Sequence, residues 1–183
     1  MRLTTRARYA LRMMLDIARN SGSDAPVALA SVAERTDLSQ GYLEQVATAL
    51  RNARLLRTTS GRFGGYRLAL PAEEITIGQV LDAVIGPVCL VDCIEDPSAC
   101  PRSDGCECRV VYRLINRGIA DVLQAYTLAD LLDPSWVRDH ADTAGLSTGA
   151  AGIHDGDGCR PVPRHTTMKK RTDPSPRRPG RHD

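Results

Sequence analysis

Five of the six cysteines, Cys89, Cys93, Cys100, Cys106 and Cys108, fall within twenty residues, while Cys159 stands alone far downstream. Cys93, Cys100 and Cys106 are spaced C-x6-C-x5-C. Thiolates are soft donors, and several in one short segment suit an iron–sulfur cluster or a zinc ion. The same thiols could also act without metal, as a thiol–disulfide switch. A structural disulfide framework is the poorer reading. The N-terminal stretch MRLTTRARYALRMMLDIARN is charged every few residues and has no secretory hydrophobic region. No run of about 18 apolar residues occurs, so no membrane span is expected. The expected location is the cytoplasm, where thiols stay reduced.

A second set of residues suits nucleic acid. Ser39, Gln40, Tyr42, Glu44 and Gln45 crowd the start of one predicted helix. A recognition helix needs polar side chains there to reach base edges. Glutamine can pair with adenine through two hydrogen bonds, and the Glu44 carboxylate could accept from cytosine N4. Arg2, Arg6, Arg51, Arg57 and Arg62 offer charge for phosphates. Arg62 lies on a glycine-rich tip, from which an arginine can enter a narrow minor groove. Residues 1–70 hold 11 arginines against 5 acidic residues, and residues 71–136 hold 4 against 11, although the whole chain carries only +2. A basic front joined to an acidic rear suits a DNA-binding head whose other half must not bind DNA. A winged helix used only for protein contacts is the alternative that this pattern leaves open.

Periodicity predicts the elements that must position these side chains. Ala7, Ala10, Leu11, Met14, Ile17 and Ala18 form one apolar stripe on a helix over 4–20, capped by Thr4 or Thr5 and ended at Ser21-Gly22. A short helix over 30–36, a turn at Asp37-Leu38 and a helix from Gln40 to Asn52 capped by Ser39 make a helix-turn-helix. Strand-like segments at 55–60 and 66–70, with Gly61, Gly64 and Gly65 between them, predict a hairpin wing. Thr76 and Gln79 form a capping box for a helix reaching about Ile85. Residues 86–105 read as irregular. A long helix follows over about 109–126, with Val111, Ile115, Ile119, Val122 and Tyr126 on one face and Leu114 and Leu123 beside it. Thr127 with Asp130 starts a short last helix.

The segments MRLTTRARYALRMMLDIA, LSQGYLEQVATALRNARLL and SGRFGGYRLA resemble the IscR/NsrR/RirA-type winged-helix regulators, the BadM/Rrf-two family. The resemblance covers residues 1 to about 133. It implies a homodimer crossed through the long helix, bound to a pseudo-palindromic double-stranded DNA operator, with Ser39, Tyr42, Gln45 and Arg62 at or near the DNA. It also carries cluster-ligand roles onto Cys93, Cys100 and Cys106. At the fourth ligand this chain departs from the pattern. One branch has a histidine three residues after the third cysteine, where Arg109 stands here; another has an aspartate in the first helix, where Arg8 stands here. Arginine does not ligate iron. Cys108 is therefore taken as the fourth ligand, with Cys89 second and Asp92 and Glu107 as oxygen donors. A two-iron (2Fe-2S) and a four-iron (4Fe-4S) cluster both stay open.

These readings predict a mainly α fold with a small β-wing. A winged helix-turn-helix over 1–71 precedes the cysteine loop and dimerisation helix over 72–136, and a disordered basic tail follows over 137–183. The expected function is a DNA-binding transcriptional regulator, a repressor, that senses iron–sulfur, iron, nitric oxide or redox status. A zinc-structured or thiol-redox module, or a cysteine-ligated electron carrier, is the alternative. No nucleophile–base pair, phosphate loop or paired carboxylates occur, so catalysis is not expected. Cys159, in the tail, is expected to be a bystander, and none of the four histidines suits ligation.

Overall fold

The computed structural model describes residues 3–21 and 25–143. Arg2, Cys159 and the tail beyond 143 lie outside the described residues. The first helix, α1 (Thr5–Asn20), starts where the Thr4 side chain accepts from the Ala7 amide at 3.2 Å. It buries Ala7, Ala10, Met13, Met14 and Ile17 completely. Leu11 sits at the edge of this stripe and Met13 within it, one helical position from the expected face.

Helix α2 (Leu29–Thr36) leads into α3 (Gln40–Asn52). Between them Asp37 takes a left-handed φ of 54°, and the Leu38 amide returns to the Ala33 carbonyl at 3.2 Å. Aspartate is among the few non-glycine residues that tolerate this conformation, and it stops α2 within one residue. A two-point ion pair fixes α2 to α1: Arg35 donates from Nε to Asp16 Oδ1 at 2.9 Å and from Nη2 to Oδ2 at 2.7 Å. The carboxylate raises the Arg35 pKa further above its ordinary value. The pair is half-exposed, so it contributes no more than about 1 kcal/mol.

Strands β1 (Leu56–Thr59) and β2 (Gly65–Leu68) form an antiparallel hairpin in the register Leu56–Leu68, Arg57–Arg67, Thr58–Tyr66 and Thr59–Gly65. Val27 adds a third backbone pairing, exchanging 2.8 Å hydrogen bonds with Tyr66. A Cβ on Gly65 would run into the Val27 carbonyl, so only glycine lets the segment preceding α2 lie against the wing.

Helix α4 (Ile77–Ile85) begins with the expected capping box, Gln79 amide to Thr76 hydroxyl and Thr76 amide to Gln79 side chain. Its Val80 and Leu81 are fully buried with Leu128 in the same core as α1 and α3. The core thus runs on from α1 and α3 into α4 and Leu128. The body is completed by α4 and by α6 (Leu128–Leu132) after the long helix α5 (Glu107–Ala125). The described helices continue past Trp136. Helix α7 spans Pro134–Thr143. Asp133 accepts from the Ser135 amide at 2.8 Å and its hydroxyl at 2.7 Å, which holds the Asp133 carboxyl below its usual pKa. One turn on, the Trp136 and His140 rings stack at 3.9 Å. The compositional shift after Trp136 obscured this turn-to-turn pairing.

Gly65→Ala is expected to lower stability by about 1–3 kcal/mol, because the Val27 backbone cannot yield without breaking its pairing with Tyr66. Urea unfolding of the two proteins measures this.

Candidate nucleic-acid interface and cysteine segment

Burial of Leu43, Val46, Ala47 and Leu50 turns the opposite side of α3 outward. Gln40, Glu44, Gln45, Thr48 and Arg51 are exposed on it. Ser39 caps the helix, its hydroxyl accepting from the Tyr42 amide at 3.4 Å. Gln40 donates to Glu44 Oε1 at 3.2 Å, so these two amide and carboxylate groups are pre-aligned along one edge. Gly41 opens onto empty space, which gives another surface close access to the backbone of the first turn. Tyr42 differs from its neighbours. Its ring is half-buried, edge-on to Tyr9 at 5.5 Å, and so also serves to pack α3 on α1. Arg62 is exposed at the wing tip beside Phe63. Gly41, Thr48 and Phe63 join this surface although the sequence reading passed over them. Thr48 could have been found by counting one turn from Glu44, and Phe63 by its position among glycines.

The cysteine segment is tied down at both ends. The Leu90 amide donates to Asn116 Oδ1 at 3.0 Å, fastening it to the middle of α5. Arg109 reaches back from the first turn of α5 to the Ser103 carbonyl at 3.4 Å, and its buried Nε has no hydrogen-bond partner. The position where the resemblance puts a histidine ligand thus holds a cation that closes the loop. Cys93 lies in a 3-10 turn (Asp92–Ile94), Cys100 caps a second (Pro97–Ala99), and Cys106 caps α5. Asp96 starts the second turn, and the Ser98 hydroxyl and amide hold its carboxyl below the ordinary pKa. The Cys89 thiol donates to the Val91 carbonyl at 3.1 Å. All five thiols are free; Cys89, Cys93, Cys100 and Cys106 are half-buried and Cys108 is exposed.

The donor types suit a cluster, but the positions do not collect them. Among the described residues no three Cys, His, Asp or Glu side chains lie close enough to share a metal ion. The set Cys93, Cys100, Cys106 and Cys108 is therefore not assembled in this conformation. Each of the first three belongs to a separate turn. Cys108 stands two residues beyond Cys106 at a helix start, a spacing at which side chains do not face one another. Cys89 is engaged with its own backbone.

Helix α5 buries none of its residues. Val110, Val111, Leu114, Ile115 and Val122 are exposed, and Ile119 is half-buried. Its C-terminal end is fixed to the head. Thr76 donates its hydroxyl to Gln124 at 2.9 Å, and the Ile77 amide donates to the Tyr126 carbonyl at 2.9 Å. Among the described residues no helix is long and apolar enough to cross a membrane.

Residues 3–134 match the Rrf2 family, described as iron-dependent transcriptional regulators. The protein Rrf2 of Nitratidesulfovibrio vulgaris is 40% identical over 132 residues, 72% of this chain and 87% of that protein. The transcriptional regulator IscR of Sodalis glossinidius is 37% identical over 142 residues, 78% of this chain and 85% of its own length. Among solved structures, CymR, the global cysteine regulator of B. subtilis, superposes with a TM-score of 0.60 at 32% identity, covering 72% of this chain and 96% of that one.

Exposure separates the thiols. Brief alkylation of the reduced protein, followed by peptide mass analysis, is expected to label Cys108 before Cys89, which is half-buried and hydrogen-bonded. Equal labelling would contradict this arrangement of the segment.

Proposed function

The chain belongs to the Rrf2 family of transcriptional regulators, which are not enzymes, and from that premise we propose that it binds a double-stranded DNA operator in the cytoplasm as a homodimer, with the cysteine segment as its sensor. The observation that carries this reading is α5. A helix of 19 residues with nothing buried and a row of exposed Val, Leu and Ile is unstable as a free surface. A second copy of the helix offers a matching stripe through Val111, Ile115, Ile119 and Val122. Because Gln124 and Tyr126 anchor α5 to α4, the angle between two such helices would set the separation of two α3 helices. A two-fold operator requires that separation to match its half-site spacing, about 34 Å or a multiple. Ser39, Gln40, Tyr42, Glu44 and Gln45 then address bases, with Arg2, Arg51 and Arg62 supplying charge.

Cys93, Cys100 and Cys106 are assigned to an iron–sulfur cluster. Their spacing and the likeness to IscR support this assignment. A bound cluster would supply a reversible, redox-sensitive link between segments that are separate here. The loop must rearrange to bring the three sulfurs together. The fourth ligand stays with Cys108 first and Cys89 second, although the α5 start turns Cys108 away from Cys106. The exposed, free Cys108 thiol supports a second reading, a metal-free thiol sensor. Either sensor alters DNA affinity only by favouring one dimer arrangement over another.

Ile115→Asp is expected to give monomers in sedimentation, because each dimer would lose two buried isoleucines of about 1.5–3 kcal/mol each, a weakening of roughly 100-fold or more. Operator binding should fall with it. A monomeric wild type at micromolar concentration would overturn the dimer. Anaerobic purification with iron and sulfide analysis decides the sensor. The wild type should hold both and absorb at about 300–450 nm. Cys93→Ala, Cys100→Ala and Cys106→Ala should each lose them. Wild type without iron after reconstitution would leave the metal-free thiol reading in place.

A further inference from the structure

Phe63 is the chain's one phenylalanine and is 85% exposed, the most exposed large apolar side chain among the described residues. Burying a phenyl group is favourable by about 1.5–3 kcal/mol, so a partner surface that covered Phe63 would gain about that much. The wing loop presents the ring. Gly61 takes a φ of 112°, and the Gly64 amide closes the turn on the Gly61 carbonyl at 2.9 Å. A Cβ on Gly64 would meet the Thr59 carbonyl, and one on Gly65 the Val27 carbonyl. The tip is thereby braced by β1 and by the segment preceding α2, and it carries Phe63 out into solvent. The Arg62 guanidinium lies 5.8 Å from the ring centroid, so the tip shows an aromatic face and a cation together. Within the tip, residues 60–64, Arg62 is the one charged residue and no acidic residue offsets it, while Arg57 and Arg67 pair across the strands further back. Such a tip complements a groove with phosphate rims and apolar sugar walls.

We propose that Phe63 is an apolar wedge that enters the DNA minor groove beside the bases read by α3, presses on one base step, and selects steps that unstack readily. This rests on the DNA-binding reading above and adds a determinant of specificity to it. An inserted side chain of this kind costs unstacking energy and is recovered through a bend that brings more duplex onto the protein. Pyrimidine–purine steps such as TA and CA open most easily, so the choice is made through deformability and not through hydrogen bonds to bases. Arg62 beside the ring would neutralise the phosphates that the narrowing groove brings together.

The test uses the full chain and duplexes that the wild type selects from a random library. Affinity, end-to-end energy transfer as a measure of bend, and salt dependence are compared for wild type, Phe63→Ala and Phe63→Leu. Phe63→Ala should keep the base preference opposite α3 and the salt slope, since no charge is removed. It should lose the bend, the preference for TA or CA in the flank, and about fivefold or more in affinity. Phe63→Leu, still an apolar wedge, should recover most of the bend. Matched thermal unfolding confirms that the exposed substitutions leave the fold intact. Phe63→Ala that bends DNA and chooses flanks as the wild type does would overturn the proposal. A wild type that selects no duplex would overturn the DNA-binding reading and the wedge with it.

Discussion

Five side chains of α1, Ala7, Ala10, Met13, Met14 and Ile17, are withdrawn completely from solvent, and both working surfaces are positioned by that burial. Two of them are alanines, which lets neighbouring helices approach closely. Leu43, Val46 and Leu50 of α3 and Val80 and Leu81 of α4 fill the same core. Each large buried side chain contributes about 1.5–3 kcal/mol, against about 1 kcal/mol for a cap or the Arg35–Asp16 pair. Packing therefore decides how α3 is presented, and polar contacts trim the result. With one face of α3 held down, the helical period leaves Gln40, Glu44, Gln45 and Arg51 no direction but outward.

The same core links the front of the protein to the rear. Helix α4 packs on α1 and also holds the end of α5 through Thr76, Gln124 and Tyr126. At Gly78 an added Cβ would crowd the end of the Gln124 side chain, which would have to shift from its bond with Thr76. The cysteine segment holds α5 at its middle through Asn116 and at its start through Arg109. A change of shape in the segment would thus act on α5 directly, and could reach α3 through α4, which packs on both. The route consists of one rigid core and one helix whose apolar stripe is unfilled in the single chain. In the proposed dimer, that stripe is where a small change in the segment would shift the relation between two copies.

Arg109 shows how one substitution at a position of known chemistry changes the problem. A neutral imidazole there could ligate; a guanidinium cannot, and instead reaches the Ser103 carbonyl. The loop gains a latch where the resemblance suggests a ligand. Any convergence of the thiols would have to displace this latch and the two 3-10 turns.

Local signals were legible in the sequence because they depend on neighbours in the chain. The Thr76–Gln79 and Thr127–Asp130 capping boxes, the start of α3 at Ser39 and the glycine-tipped hairpin all follow from residues within four positions. So does the outward face of α3, since helical period and apolar spacing are the same information. The tertiary structure decided what required distant partners. It joined α4 and α6 to the core of the head, added a separate helix α7 carrying the Trp136–His140 stack, and moved Tyr42 partly into packing against Tyr9. It also left the cysteines uncollected, because ligand spacing fixes how far a chain can reach but not how its turns point. The sequence by itself determined which side chains are able to meet DNA or metal; only the folded chain decided which are held where they can do so, since that is set by contacts between residues far apart in the chain.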